Sequence, residues 1–494
     1  MRMLSKVLPG SLAIAASVSL GLAGTAQAQT AGPQAARVPL TATPSTVAAG
    51  LNTGVSLTNP CPSGITPSSV TGFPAPDGST TNVQAVLAKA PVKVKLAGVW
   101  PAPGPTSYSV TVHCPGGQSG TSTVTVESAP APADVTGVGA DATASVTDQF
   151  SADYNSTHAT GHLWSWDATN PVTGAIGDNI TTKQGCAAIP RPNGSSAGIT
   201  ALESSNPMTS GHPCIDFARS SRARGTDPNT ITFVTLAGDA VTYATQPGSN
   251  APANLTTADL QGIYNCTITN WNQIPGSTTS GTIAAFIAQS GSGTRSFFLS
   301  ALGLTNPGNC VSTSATVGGS AGANANTLEE NEGVAPSLNG AAGSGVTKAN
   351  VIVGYSVGKY LAERYHSAKC FNTACTANTS GLKCAPAGSQ NLFGCNTHGT
   401  MNLNMINGTN PTIPFPLTNT TKTATINPGF TSTFERFLYE VVVSPQPSIP
   451  TYLQPYFSST GYVCTNPGAQ KDLKNYGFLV LPAGTSPGDC GAQS

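Results

Sequence analysis

Charged side chains are scarce in this sequence, and their scarcity limits the classes of protein that fit it. Asp, Glu, Lys and Arg make up only 9% of the 494 residues, with 21 basic against 21 acidic side chains. We expect no nucleic-acid binding, because such binding depends on a clustered excess of positive charge. Beyond the N-terminus no apolar run reaches the ~18 residues of a membrane-spanning helix, so we expect no stable membrane insertion.

Small and polar residues take the place of the missing charges. The chain contains 54 Gly and 39 Pro, and Ser, Thr and Asn are abundant. Hydrophobic residues make up 39%, a modest share that still suffices for a core. This composition favours many short strands joined by long loops over a bundle of long helices.

Residues 1–28 are typical of a secretory signal peptide. Arg2 and Lys6 supply the positive charge, 12–22 is the apolar segment, and 26–28 is a small-residue cleavage site. We expect cleavage near Ala28 and a secreted protein, either extracellular, at the cell surface or periplasmic. No Cys follows the cleavage site, so we expect no lipid anchor. Removal of the signal leaves 19 basic against 21 acidic residues, because it takes away two basic side chains and no acidic one.

All 12 cysteines follow the signal peptide, and an even number in an exported chain indicates disulfides. The cluster of Cys370, Cys375, Cys384 and Cys395 would form two bridges whose connectivity is open, and it lacks the close Cys-x-x-Cys pairs of a zinc site. Pairing between sequence neighbours predicts the other bridges, which are Cys61–Cys114, Cys186–Cys214, Cys266–Cys310 and Cys464–Cys490.

The residues after the signal peptide divide into two regions. Residues 36–128 alternate apolar and polar side chains between Pro/Gly turns, which predicts an Ig-like β-sandwich. No group of catalytic residues occurs there, so the sandwich is interpreted as a spacer or an interaction module. Residues 129–134 contain two prolines and are predicted to be a linker. Residues 135–494 form the second, larger region.

Four turns rich in glycine and hydroxyl groups follow predicted strands in the second region, at 137–143, 191–198, 214–222 and 289–299. Glycine lets main-chain N–H groups approach a ligand, hydroxyls donate hydrogen bonds, and a helix start carries partial positive charge. Any one of these turns is also compatible with an ordinary helix cap. Four of them at the carboxyl ends of strands predict an anion-binding cleft.

The loop at 289–299 does not fit two catalytic templates. It lacks the Lys of a phosphate-binding P-loop and the flanking glycines of a nucleophile elbow. No metal cluster or activated nucleophile is evident elsewhere. We therefore expect a binding protein, with no enzymatic activity and no cofactor.

The order of these motifs resembles the phosphate-binding proteins of phosphate ABC importers (PstS-like), which have a type II periplasmic-binding-protein fold. The most specific matches are the Leu-Thr…Ile-Tyr…Ile-Thr-Asn-Trp-Asn stretch at 255–272 and the Ser-Gly-Ser-Gly-Thr loop at 290–294. The resemblance covers about 135–490 and not the sandwich. It implies a monomeric α/β protein whose two lobes close on inorganic phosphate or a related tetrahedral oxyanion, with an ABC transporter permease as a possible partner.

The resemblance also implies which residues bind the anion. Ser195, Ser292, the Gly293 amide and Thr294 carry over directly from the family pattern. With their neighbours in the matched turns, the predicted phosphate-binding residues are Asp141, Ala142, Thr143, Ser195, Ser196, Ser220, Ser221, Ser292, Gly293, Thr294 and Arg295.

The charged residues of the family pattern are not retained. Its ligand aspartate aligns with Ser221, its arginine with Ala288, and the partner of that arginine with Ser290. Asp141 aligns with a family threonine, and we predict that its carboxylate accepts the proton of phosphate and repels sulfate. The alternative for Asp141 is a helix N-cap that faces water. The candidates to replace the missing cation are Arg219, Arg222, Arg224 and Arg295, and each of them is equally compatible with an arginine that faces solvent.

A second hypothesis stays open. In it the protein is a cell-surface or extracellular interaction protein whose anion cleft is vestigial and whose sandwich carries the function.

Two further segments have local interpretations. Ser356 and Lys359 match a Ser-x-x-Lys pattern, but the companion motifs are missing, so the match is interpreted as chance. Residues 430–443 are predicted to form an amphipathic helix that packs on one lobe.

Overall fold

A computed structural model describes residues 38–77, 79–101, 106–205, 212–313, 328–333, 347–365, 393, 397–418 and 423–494. The predicted signal peptide and the cysteine cluster from Cys370 to Cys395 lie outside these residues.

The N-terminal part of the chain is a β-sandwich, as predicted. One sheet has the order β1-β3-β6-β5 and the other β2-β8-β7-β4. The inward side chains of both sheets form one apolar core, to which Val55 and Leu96 contribute from the first sheet and Val112 and Val124 from the second. The strands are β1 (Ala42–Thr43), β2 (Thr46–Ala48), β3 (Asn52–Leu57), β4 (Ser69–Thr71), β5 (Gln84–Val86), β6 (Val94–Val99), β7 (Thr106–His113) and β8 (Ser119–Glu127).

The larger region begins with strands and helices in alternation, which is the pattern of an α/β fold. These elements are β9 (Val135–Gly139), α1 (Ala144–Asn155), β10 (Leu163–Ser165), β11 (Asn179–Ile180), β12 (Ile189–Pro190), α2 (Ser195–Glu203), β13 (Phe217–Ser220), β14 (Ile231–Thr245), β15 (Asn254–Leu255), α3 (Thr257–Tyr264), β16 (Ala284–Phe286), α4 (Gly293–Ala301), β17 (Val351–Ser356) and α5 (Val357–Tyr365).

The last part of the chain adds short strands, one long strand and three helices. These elements are β18 (Asn402–Leu403), β19 (Met405–Ile406), β20 (Thr412–Ile413), β21 (Thr425–Ile426), β22 (Glu435–Val443), α6 (Gln454–Phe457), α7 (Tyr462–Thr465) and α8 (Pro467–Asn475).

One mixed sheet joins the two lobes of this region. Its order is β10-β9-β13-β22-β14-β17-β16, with β18 also paired to β14. Strand β14 pairs with β22 over residues 231–240 and with β17 over 241–245, so it passes from one lobe into the other. The first lobe contains β9, β10, β13, α1, α2 and α6–α8, and the second contains α3, β16, α4 and β17.

Each lobe has its own apolar core. Phe217, Phe233 and Val441 are buried on the two faces of the sheet in the first lobe. Tyr264 and Phe286 are fully buried in the second lobe. The two cores are separate, so the lobes are joined by the shared sheet and by the contacts at the cleft between them.

The predicted helix at 430–443 is wrong, because residues Glu435–Val443 form the sheet strand β22. This strand lies between β13 and β14 and is mostly buried, including Leu438, Val441 and Val442. A central strand with both faces buried has a continuous apolar run instead of alternation, and such a run cannot be told from a buried helix by periodicity.

The sandwich packs against the first lobe. Lys95 Nζ lies 2.9 Å from Asp153 Oδ1 on α1, and Asn52 Nδ2 lies 3.4 Å from Asp148 Oδ2. The predicted linker at 129–134 lies along the same lobe, where Asp134 is buried and accepts hydrogen bonds from the main-chain N–H of His162 and the indole of Trp164.

Four disulfides confirm the predicted pairing of sequence neighbours. They are Cys61–Cys114, Cys186–Cys214, Cys266–Cys310 and Cys464–Cys490. Within the described ranges, no helix has the length and apolar character needed to cross a membrane.

Candidate anion-binding site

Three of the predicted turns meet at the cleft between the lobes. Ser195 begins α2 and Ser221 follows β13 in the first lobe, whereas Gly293 and Thr294 begin α4 in the second. A Cβ atom on Gly293 would lie 2.3 Å from both Ser195 Oγ and Ser221 Oγ, so only glycine allows this close approach. We call Ser195, Ser221, Gly293 and Thr294 the donor cluster.

The lobes also touch beside the donor cluster. The main-chain N–H of Ser196 donates to the carbonyl oxygen of Gly291 at 3.2 Å. A Cβ on Gly194, which has φ 91°, would lie 2.5 Å from that same carbonyl oxygen. The cleft is therefore closed on this side.

A carboxylate of the chain itself lies within the donor cluster. Glu330 Oε1 accepts hydrogen bonds from Ser221 Oγ at 2.6 Å, from the Thr294 main-chain N–H at 3.0 Å and from Thr294 Oγ1 at 2.5 Å. The Glu330 side chain is 2% exposed. Three donors from two lobes thus converge on one anionic oxygen, which is the arrangement that a buried oxyanion requires.

The directions of the hydrogen bonds follow from the number of protons available. Ser221 Oγ uses its only proton on Glu330, so in its 3.2 Å contact with Ser195 Oγ it must accept. Ser195 Oγ in turn accepts from the main-chain N–H of Ser221 at 3.0 Å. Ser195 therefore donates its proton to Ser221 Oγ, and this contact helps to orient the Ser221 proton toward the carboxylate oxygen.

A buried guanidinium supports the donor cluster from the sheet. Arg436 Nη2 donates to Thr294 Oγ1 at 3.0 Å, and Arg436 Nη1 donates to the Ser221 carbonyl oxygen at 2.8 Å. Because Thr294 Oγ1 accepts from a cation and donates to an anion, the two hydrogen bonds strengthen each other. Arg436 therefore extends its positive charge to the site through the threonine hydroxyl.

Asp239 fixes the position of Arg436. Its Oδ2 atom accepts from Arg436 Nε at 3.0 Å, from Arg436 Nη2 at 2.8 Å and from Ser356 Oγ at 2.8 Å, and its Oδ1 accepts from the Gly358 N–H at 3.0 Å. Asp239 and Arg436 lie opposite each other on β14 and β22, the strands that join the lobes.

The helix starts add to the positive potential. Helices α2 and α4 each contain nine residues and begin at Ser195 and Gly293, so both N-termini belong to the donor cluster. The N-terminus of an α-helix carries roughly half a positive charge, which favours a bound anion.

Acidic groups line the neighbouring surface. Asn193 Nδ2 donates to Glu329 Oε2 at 2.8 Å, and burial raises the pKa of Glu329 to about 8, with contributions from Glu332 and Asp141. Lys359 Nζ lies 3.4 Å from Asp141 Oδ2. The cleft therefore combines cationic support at the donor cluster with carboxylates beside it.

Some predicted site residues lie close to the donor cluster without making its hydrogen bonds. Ser292 is the N-cap of α4, and its Oγ accepts from the Arg295 main-chain N–H at 3.1 Å. Its own proton has no acceptor in the described part of the chain. Ala142 is buried in the first turn. The Thr143 hydroxyl is also buried and has no hydrogen-bond partner among the described residues.

Other predicted site residues point elsewhere. Ser220 Oγ donates to the carbonyl oxygen of Arg222 at 2.8 Å and so completes its own turn. Arg295 Nη1 donates to the carbonyl oxygen of Ala288 at 3.0 Å, and burial lowers the pKa of Arg295 from its ordinary value. In the structure neither side chain contacts the Glu330 carboxylate.

The arginines proposed to replace the missing cation are engaged in other contacts. Arg219 donates to the carbonyl oxygens of Ala140 and Trp166, and Arg222 forms an ion pair with Asp227. The remaining candidate of that group, Arg224, donates to main-chain carbonyls such as that of Pro228. The cation that contacts the donor cluster is Arg436, which the sequence interpretation missed because it assigned the segment to a helix.

Glu330 was also missed, although the sequence contained a signal. Residues 329–332 contain three carboxylates in a chain with only 21 acidic residues. The Ser-x-x-Lys pattern interpreted as chance also lies at the site, where Ser356 Oγ donates to Asp239 and Lys359 pairs with Asp141. Within the described part of the chain, no group of three metal-ligating side chains is suited to holding a metal ion.

Residues 125–379, just over half of the chain, match the family described as the PBP superfamily domain. The chain therefore belongs to this superfamily of binding proteins. Its larger region has the type II periplasmic-binding-protein fold, here preceded by the β-sandwich.

The solved structures that match the chain include phosphate-binding proteins. An ABC-type phosphate transport receptor from Vibrio cholerae is 17% identical, with coverage of 70% of this chain and 99% of that chain and a TM-score of 0.37. PstS from Borrelia burgdorferi is 15% identical, with coverage of 70% and 98% and a TM-score of 0.33. A phosphate-binding protein from Stenotrophomonas maltophilia is 12% identical, with coverage of 71% and 91% and a TM-score of 0.32. No curated protein matches the chain.

Proposed function

We propose that this protein is a secreted solute-binding protein that captures inorganic phosphate or a similar tetrahedral oxyanion in the cleft between its lobes. The observation that carries the proposal is the convergence of three donors, from Ser221 and Thr294, on a single carboxylate oxygen of Glu330. A site that binds an internal carboxylate oxygen in this way has the donors, the orientation and the charge to bind an external oxyanion.

The electrostatics of the site support an anionic ligand. Two helix N-termini and the Arg436 guanidinium surround the donor cluster, and hydrogen bonds to a charged acceptor are each worth roughly 1.5–3 kcal/mol. No group in the cleft needs to react with the ligand. Binding and closure of the lobes therefore account for the whole mechanism.

Transport is the biological role that fits this class of binding. A protein of this kind, carrying phosphate between closed lobes, would present both lobes to the permease of an ABC importer. The sandwich lies on the first lobe, next to α1, where the Lys95–Asp153 ion pair joins the two regions. The four residues of the donor cluster therefore all come from the two lobes and not from the sandwich.

Calorimetric titration of the full mature protein with phosphate tests the proposal. We expect one ligand per chain, and we expect Thr294→Val to weaken binding by about ten- to a hundredfold, because it removes the Oγ1 donor and keeps the shape. Thr232→Val is the matched control, since Thr232 is equally buried and donates to Ser444 in the first lobe. Absence of phosphate and sulfate binding to both the wild type and the variants would refute the proposal.

Two observations favour the second hypothesis, an extracellular interaction protein with a vestigial cleft. The Glu330 carboxylate already fills the donor cluster, and the sandwich exposes Ile65, Leu87 and Val92, of which Val92 is 61% exposed. If this hypothesis is correct, the titration detects no oxyanion binding even when the competing carboxylate is removed.

A further inference from the structure

The Glu330 carboxylate lies where an entering oxyanion would have to bind. Glu330 Oε1 uses the Ser221 hydroxyl and both donors of Thr294, so an oxyanion cannot use the same donors while the carboxylate is there. The second oxygen, Glu330 Oε2, is buried and has no hydrogen-bond partner among the described residues. Within the described ranges, the carboxylate is therefore held through one oxygen.

We propose that Glu330 is an internal competitor for the oxyanion site, and that ligand binding displaces its carboxylate from the donor cluster. This inference rests on the proposed function. It assigns Glu330 the role of setting the affinity, because a ligand must bind more favourably than a carboxylate that is already part of the chain. A site whose competent form is only partly populated binds with an affinity reduced by that fraction.

The neighbours of Glu330 agree with a displaceable contact. Its segment, 328–333, is held to the second lobe by Leu328, which is fully buried and whose carbonyl oxygen accepts from the Gln289 N–H at 2.9 Å. Asn331 Oδ1 accepts from the Ser356 N–H at 3.0 Å. These contacts on both sides of Glu330 do not involve its side chain, so the carboxylate can leave the donor cluster while the segment stays attached.

The charges at the site favour displacement of the Glu330 carboxylate by a dianion. In the observed state Asp239 is the carboxylate that pairs with Arg436. The donor cluster and its two helix N-termini face one oxygen of Glu330, whose second oxygen has no partner among the described residues. A tetrahedral dianion brings more charge and more acceptor oxygens to the same donors. A monocarboxylate offers neither advantage, so free acetate is expected to compete poorly with the resident side chain.

The test compares phosphate binding to the wild type, Glu330→Ala and Glu330→Gln, with Glu203→Ala as a control that removes an exposed carboxylate at the other end of α2. We expect both Glu330 variants to bind phosphate about tenfold more tightly or better, and Glu203→Ala to behave as the wild type. In Glu330→Ala, millimolar acetate should weaken phosphate binding by entering the vacated position, whereas in the wild type it should have little effect.

The remaining outcomes separate the inference from the proposed function. If wild type and Glu330 variants bind phosphate equally, or if the variants bind it more weakly, Glu330 is not a competitor and the inference is wrong while the function stands. If no variant binds phosphate or sulfate, the proposed function fails and the inference fails with it.

Hydrogen–deuterium exchange on the wild type gives a readout that needs no substitution at Glu330. Saturating phosphate should slow exchange in peptides containing the start of α4 at Gly293 and speed exchange in peptides covering 328–333. Slower exchange in both sets of peptides would overturn the inference, because it would mean that Glu330 stays in place beside the ligand.

Discussion

Arg436 Nη2 and Thr294 Oγ1 are joined by a 3.0 Å hydrogen bond that links the strand shared by the lobes to the start of α4 in the second lobe. The guanidinium is almost completely buried and is held by Asp239. Through this contact, the positive potential at the donor cluster depends on a residue of the sheet that connects the lobes. Stability and ligand binding should therefore respond together when either partner is changed.

Arg436→Met should destabilise the protein by about 3–5 kcal/mol, because it leaves the Asp239 carboxylate buried without its cation. Urea unfolding measures this loss. Adding Asp239→Asn to the variant should recover part of the stability, since the unpaired charge is removed, and phosphate binding should stay weak in the double variant. Equal stability of Arg436→Met and the wild type would contradict the structural role of the pair.

Gly293→Ala should abolish or strongly weaken oxyanion binding. The added methyl group would lie 2.3 Å from both Ser195 Oγ and Ser221 Oγ, so the two hydroxyls would have to move apart. Gly225→Ala is the matched control, because a Cβ at Gly225 meets no atom within 4 Å. Calorimetry on the two variants should show loss of binding for the first only, and normal affinity of Gly293→Ala would show that the close approach is not needed.

Ser292→Ala should change two quantities at once. Loss of the N-cap of α4 is expected to lower the free energy of unfolding by about 1 kcal/mol. Loss of the remaining hydroxyl proton is expected to weaken phosphate binding by about ten- to a hundredfold. Denaturant unfolding and titration separate the two effects, and a change in stability alone would restrict Ser292 to its role as a cap.

Asp141→Asn tests whether the first turn selects the ligand. Phosphate at neutral pH carries a proton that a carboxylate can accept, whereas sulfate offers only acceptors and is repelled. In competition binding we expect the variant to gain affinity for sulfate relative to phosphate by about tenfold or more. If the wild type binds the two anions equally, the 3.4 Å contact with Lys359 has neutralised Asp141 and the protein does not discriminate through it.

Glu440 should make stability depend on pH. It lies on β22 with 1% of its surface exposed, and burial raises its pKa to about 8 from an ordinary 4.5 against the opposing effect of Arg219. The folded state then holds a proton that the unfolded state releases, so the contribution of Glu440 to stability falls as pH rises from 4.5 to 8. Below this window its contribution is unaffected by pH.

Glu440→Gln removes this titration, so the comparison with the wild type isolates it. The variant should gain stability relative to the wild type between about pH 5 and about pH 9, by on the order of 3–5 kcal/mol. Urea unfolding at the two pH values measures the change. A difference between variant and wild type that stays constant with pH would mean that Glu440 ionises normally in the folded protein.

Local patterns predicted a large part of this molecule. The alternation in β8 and the pairing of Cys186 with Cys214 both depend on residues near one another in the chain. The turns that supply Ser195 and Thr294 were identified for the same reason, since a glycine-rich turn before a helix start is a local feature. Prediction failed at β22, where burial of both faces removes the alternation that identifies a strand.

The sequence by itself determined which groups can donate to an anion, and only the tertiary structure decided which charges meet them. Ser221 and Glu330 are 109 residues apart, and Arg436 reaches the Ser221 carbonyl oxygen across 215 residues. These contacts follow from strand order, in which β22 inserts between β13 and β14, and no local propensity encodes that order. A turn can be recognised from its own residues, whereas the partner of a buried charge is set by the way distant strands pair in the folded sheet.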